Sequence, residues 1–110
     1  MSVQHKKLAE GKWSEMPFLI KMANIGSEVE RAVKWREKEN RDYSMKAFGR
    51  ALELINLTLN TAEKFPRLKE VARVKEALLD FFCGYNTYGT SGEMWRSYFY
   101  KFTYAARKDC

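Results

Sequence analysis

From Phe18 the apolar positions recur at alternating steps of four and three, through Met22, Ile25, Val29 and Ala32 to Arg36, with Leu19, Gly26 and Val33 beside them. That spacing matches the 3.6-residue helical period and lays one apolar stripe along about six turns. A helix is predicted to open at Ser14, whose hydroxyl can accept from a first-turn amide. Pro17 is tolerated in that turn because its missing N–H has no partner within the helix. The polar run Glu37 to Arg41 ends the element, and Gly26 lets a neighbouring helix come close.

A second helix is expected from Asp42 or Ser44, with Ala47, Phe48, Ala51, Leu52, Ile55, Thr58, Leu59 and Ala62 on its buried face. Phe65-Pro66 punctuates the chain, since the residue before proline leaves the helical region and proline itself suits a first turn. The third helix then carries Leu68, Val71, Ala72, Val74, Lys75, Leu78, Phe81 and Phe82, and Gly84 is placed to close it in a left-handed conformation. Residues 84–91 read as a loop. Thr90 and Glu93 have capping-box spacing for a fourth helix bearing Met94, Trp95, Tyr98, Phe99, Phe102, Ala105 and Ala106. No segment alternates as a strand would.

Four stripes on short connections predict an all-α fold, an antiparallel up-down-up-down four-helix bundle over residues 14–110 preceded by a basic flexible tail, 1–13. A chain of 110 residues buries roughly two thirds of its unfolded surface, enough for one core. Trp35, Tyr43, Tyr100 and Tyr104 fall off the main stripes. Surplus aromatics of this kind either cover the ends of a bundle or mark an interface, and Trp35 and Tyr43 are the candidates for contact with another copy or a partner.

Charge adds direction to this picture. Twenty Lys and Arg against fourteen Asp and Glu give +6, and the excess is uneven: residues 10–63 balance nine against nine, whereas 64–110 hold nine basic and five acidic residues. Such a surplus favours polyanions, either nucleic acid or acidic protein. The longest strictly apolar run, Met16 to Ile20, is too short to span a membrane or to form a signal-peptide core, so a cytoplasmic location is expected. Cys83 and Cys110 lack metal-ligand spacing, and no metal, cofactor or structural disulfide is expected.

Catalysis needs positioned acids, bases or nucleophiles, and the single histidine, His5, lies in the expected tail. A non-enzymatic role is the expectation. Glu76, Asp80 and Glu28 are the acids a nuclease would draw on, and neighbouring bases such as Arg73 and Arg31 offer them structural partners instead. On the fourth helix Arg96, Tyr100, Tyr104 and Arg107 follow near steps of three and four, flanked by Lys101 and Lys108, with Arg67, Lys69 and Arg73 on the third as an extension. Guanidinium groups hold phosphates and tyrosine rings stack on unpaired bases, so this set suits RNA, although a solvated charged face has the same pattern. Arg31, Lys34 and Lys38 form a weaker stripe on the first helix, diluted by Glu30, Glu37 and Glu39.

The segments Ile25-Gly26-Ser27-Glu28-Val29-Glu30-Arg31-Ala32, Arg50-Ala51-Leu52-Glu53-Leu54, Arg67-Leu68-Lys69-Glu70, and Tyr98-Phe99 through Ala105-Ala106-Arg107 resemble the Avd-like family. That family of small basic four-helix proteins includes the accessory variability protein of diversity-generating retroelements and the proteins of intervening sequences in 23S ribosomal RNA genes. In the intervening-sequence branch a Phe-Pro turn follows the first helix, whereas Phe65-Pro66 follows the second here. The resemblance implies a homo-oligomer, a pentamer, that binds RNA or complementary DNA together with a reverse transcriptase and supports mutagenic retrohoming. A self-associating protein-interaction module with no nucleic-acid role is the alternative.

Overall fold

The computed structural model describes residues 6–61 and 63–108, and these form five helices with no strand among them. They are α1 (Lys6–Glu15), α2 (Phe18–Glu37), α3 (Arg41–Leu59), α4 (Phe65–Cys83) and α5 (Gly92–Lys108). His5, Ala62 and Cys110, which entered the sequence reading, lie outside the described residues. No helix among the described residues is long and apolar enough to cross a membrane.

The chain is helical eight residues before Ser14, so a helix stands where a tail was expected over 6–13. Ser14 does not open a helix. Its hydroxyl donates back to the Gly11 carbonyl at 3.1 Å inside α1. The reason is Pro17, which drives the preceding residue out of the helical region, so that the chain breaks at Met16 and restarts at Phe18 with Pro17 as its N-cap. Trp13 anchors α1 by entering the core, and its Nε1 donates to Thr58 Oγ1 on α3 at 2.9 Å.

Three other boundaries differ in detail from the sequence expectation. The cap of α3 is Asn40, whose side-chain oxygen accepts from the Tyr43 amide at 3.0 Å, while Ser44 turns inward and donates to the Ala32 carbonyl at 2.8 Å. Gly84 has φ −105° and is not left-handed. Asp80 closes the end of α4 in its place: its carbonyl accepts from Gly84 and Asn86, and its carboxylate from the amides of Thr87 and Tyr88 at 2.8 and 3.0 Å. Ser91 rather than Thr90 caps α5, accepting from the Met94 amide at 3.1 Å, because the Thr90 hydroxyl receives Trp95 Nε1.

The core runs where the apolar stripes meet. Met22, Ile25, Val29, Ala32 and Val33 of α2 are buried together with Ala47, Phe48, Ala51 and Ile55 of α3. Val71, Val74, Leu78, Phe81 and Phe82 of α4 and Trp95, Phe99 and Phe102 of α5 complete it. Helix α2 contacts both α3 and α5, α3 also contacts α4, and α1 rests on α3. Ala72 and Met94, expected inside, are exposed. No buried side-chain N or O among the described residues lacks a hydrogen-bond partner, as the cost of burying polar groups requires.

Two cations of α2, the buried Lys21 and the exposed Arg36, complete distant parts of the fold. Lys21, 1% exposed, sits between Phe18 and Ile25 on the apolar stripe and reaches the α3–α4 connection, where it pairs with Glu63 and donates to Thr61 Oγ1 at 3.3 Å. Arg36 Nη1 donates to the Phe81 carbonyl at 2.7 Å, and its guanidinium lies 4.2 Å from the centre of the Phe81 ring. The last turn of α4 has no basic residue of its own. Arg36 therefore supplies the positive charge that a helix C-terminus favours.

Candidate nucleic-acid interface

Helix α5 docks on α2 at Gly26, where an added Cβ would lie 2.8 Å from Phe99 Cβ. This close approach leaves a half-open groove of about 560 Å³ running beside the contact. Val29, Val33, Trp95 and Phe99 give it an apolar floor. Arg31 and Lys34 stand on the α2 side, with Arg96, Tyr100 and Arg107 on the α5 side, the last three set on one face by their spacing of four and seven residues.

Arg96 is the most fully paired cation of the groove and the one least free to meet a phosphate. Its Nε donates to Glu30 at 2.9 and 3.2 Å, while Nη1 and Nη2 donate to the two oxygens of Glu37 at 3.0 and 2.8 Å. The hydrogen bonds from Arg96 hold the Glu37 carboxyl below its usual range, and those to Glu37 and then Glu30 raise Arg96 itself. The expectation of a free guanidinium at this position is corrected by the geometry: Arg96 is a clamp between α5 and α2. Lys34 stands one turn from both carboxylates on α2, so Glu30 and Glu37 offset Arg96 and Lys34 and leave that end of the groove close to neutral.

The remaining candidates separate into three places. Tyr100 and Tyr104 stay together on the outside of α5, 63% and 55% exposed, with ring centroids 6.1 Å apart at 28°. Arg107 has no carboxylate within ion-pair distance among the described residues, and Lys34 has none either. Lys101 points away from the groove, 4.6 Å from the Tyr98 ring and 5.0 Å from the Phe102 ring. Arg67 turns to Glu63 at 3.6 Å and lies 5.1 Å from the Phe18 ring, while Lys69 and Arg73 are exposed on α4; none of these lines the groove.

Arg31 and Lys34, the weaker stripe in the sequence, line the groove. Their spacing of three placed them on one face, but the glutamates around them suggested a solvated stripe. Glu30 and Glu37 are in fact taken up by Arg96, and Arg31 keeps only a surface pair with Glu28 at 3.2 Å, an arrangement of small energetic weight. Sequence spacing alone could not show that a guanidinium from another helix is set between these carboxylates.

Trp35 and Tyr43 pack edge to face at 4.8 Å and 87°, joining the end of α2 to the start of α3. Lys38 and Lys46 lie over their rings at 5.3 and 5.5 Å, and Tyr43 is 48% exposed. Sequence reading did not single out Tyr85 and Tyr88 in the α4–α5 loop, which are 99% and 56% exposed.

The acids weighed as nuclease residues have structural partners. Asp80 is occupied by loop amides, and Glu28 by Arg31 and Arg50. Glu76 lies beside Tyr88, whose phenol its charge pushes upward. Among the described residues no three His, Cys, Asp or Glu side chains converge as metal ligands would. Cys83 is exposed and unbridged. No protein-family model, curated protein or solved structure matches the chain.

Proposed function

We propose that this protein is a non-enzymatic, basic accessory protein that holds RNA or complementary DNA for a reverse transcriptase, in the manner the Avd-like resemblance implies. The observation that carries the nucleic-acid part is the α2–α5 groove, in which Arg31, Lys34 and Arg107 surround an apolar floor beside the exposed Tyr100 ring. Cations at the rim attract a phosphate backbone, and an aromatic ring among them meets bases without reading sequence. The engagement of Asp80 and Glu28 in the fold favours binding over hydrolysis.

In this reading the four long helices alternate in direction as an up-down-up-down bundle, and protomers assemble into a homo-oligomer, a pentamer, in the cytoplasm. Short connections at 38–40 and 60–64 support the alternation. Assembly would multiply the +6 of each chain into a strongly positive particle. Support for the polymerase as partner comes from the sequence resemblance alone.

A mobility-shift titration of labelled RNA and DNA over a salt series tests the proposal. Binding that persists at physiological salt is expected, and its complete loss there would overturn it. The exposed Tyr43, packed on the half-buried Trp35, favours a second reading, a self-associating interaction module. Sedimentation of Tyr43→Ala tests that one: a fall in oligomer size with no change in nucleic-acid affinity is its expected mark.

A further inference from the structure

A nucleic-acid surface can track a duplex by its phosphates alone, or it can require bases that are free to leave the stack. The two demand different surfaces. A duplex presents phosphates and groove edges and hides base faces, so it rewards a broad cationic face and makes no use of an apolar slot. A single strand rewards a slot with an aromatic wall and cations at its mouth.

We propose that the α2–α5 groove binds single-stranded nucleic acid and rejects the intact duplex, with a base held against Tyr100 between phosphates neutralised by Arg107 on one rim and Arg31 and Lys34 on the other. This rests on the nucleic-acid reading above and narrows its substrate. At about 560 Å³ the groove has the size of a small-ligand site, suited to a nucleotide unit and far too small to admit a double helix. Val29, Val33 and Phe99 beneath the groove are nearly closed to solvent, so the exposed Tyr100 ring is the apolar surface that it offers to the flat, unpaired face of a base.

Tyr104 stacks against Tyr100 and backs one face of that ring, so the other face is the one available to a base. Charge sets the path of the strand. At the end of the groove closed by Glu30, Arg96 and Glu37 the carboxylates offset the cations and leave little net attraction for phosphate, whereas Arg107 has no carboxylate partner among the described residues. Arg107 lies about 16 Å along α5 from Arg96, from the helical rise of about 1.5 Å per residue. The strand's backbone is therefore drawn to the Arg107 end of the groove, away from Glu30 and Glu37.

Fluorescence anisotropy on the whole chain decides the matter, with a labelled oligouridine strand and the same strand annealed to its complement. The single strand is expected to bind at least about tenfold more tightly. Tyr100→Ala should weaken it by about tenfold, the loss of one stacked base, while leaving the duplex value unchanged. Arg107→Ala should lower the slope of log affinity against log salt by about 0.7. A bromouracil-substituted strand should crosslink to the peptide carrying Tyr100 in the unaltered protein.

Equal affinity for strand and duplex, with no response to Tyr100→Ala, overturns this inference and leaves the nucleic-acid role standing. Displacement of the strand by polyglutamate as effective as that by unlabelled strand also overturns it, because charge alone would then account for binding. Failure to bind either nucleic acid overturns the role itself.

Discussion

Arg96 and Glu37 meet fork to fork across the α5–α2 contact, Nη1 to Oε2 at 3.0 Å and Nη2 to Oε1 at 2.8 Å. Two parallel hydrogen bonds fix an angle as well as a distance, so this pair orients the start of α5 on the end of α2. The same guanidinium continues to Glu30 through Nε. A residue that looks, in sequence, like a phosphate contact is spent on the architecture of the groove.

Arg96→Ala is accordingly expected to cost a small amount of thermal stability and to leave nucleic-acid affinity within about twofold, since the pair is largely solvated and three of the side chain's five N–H donors are already committed to Glu30 and Glu37. Arg107→Glu should do the reverse. Because the Glu37 carboxyl is held below its ordinary range by Arg96, the clamp contributes fully above that range and is lost as pH falls through the lowered value. The stability difference between Arg96→Ala and the unaltered protein should therefore shrink in acid, as thermal melts across a pH series will show.

Gly26 and Gly49 make a matched pair of helix glycines. At Gly26 an added methyl would press on Phe99 Cβ, an atom close to the backbone that cannot swing aside, and overpacking of this kind costs about 1–3 kcal/mol. At Gly49 nothing lies within 4 Å of an added Cβ. Gly26→Ala should therefore destabilise by on the order of 1 kcal/mol even after the gain in helix propensity, and Gly49→Ala should stabilise by about 0.5–1 kcal/mol. Urea denaturation measures both.

Lys21 and Glu63 are both nearly out of solvent, with side chains 1% and 9% exposed. Taking away Glu63 strands a buried ammonium, which costs about 3–5 kcal/mol, whereas removing the lysine charge leaves Glu63 near Arg67. Glu63→Gln should be markedly more destabilising than Lys21→Met. Equal losses in denaturant midpoint would mean that the pair is hydrated in solution.

Tyr98 is pushed well above the ordinary tyrosine value, chiefly by burial and then by its hydrogen bond to Glu70. A phenol whose folded-state value is raised contributes stability below the unfolded value near 10, and that contribution is lost as pH climbs toward the folded value. The protein should weaken in alkali above about pH 10, and Tyr98→Phe should flatten that decline. Melting temperatures followed into the alkaline range give the answer.

The parts legible in the sequence are those fixed by local periodicity. The stripe from Phe18 to Ala32 is buried as read, and so are Ala47, Phe48, Ala51 and Ile55, because a 3.6 period with one apolar face leaves few alternatives. Helix α1 was not legible: its anchor is a single tryptophan whose partner, Thr58, lies 45 positions away. Lys21 did carry a local cue, since it stands at a stripe position three after Phe18 and four before Ile25.

The candidate site was half legible for a similar reason. Spacing on α5 correctly put Arg96, Tyr100 and Arg107 on one face, and it could not reveal that Glu30 and Glu37, 66 and 59 positions earlier, would claim Arg96. The register between α2 and α5 decides which cations remain available. That register depends on the fit of Gly26 against Phe99, which is a matter of shape rather than of residue class.

Because the Phe81 carbonyl is satisfied by Arg36, the C-terminal turn of α4 is finished by a side chain made 45 residues earlier in the chain. Helix α4 in isolation should fray at that turn, and its completion waits for docking. Chain order suits this: Arg36 is already made when Phe81 is added, so the last turn of α4 can close as soon as that helix docks.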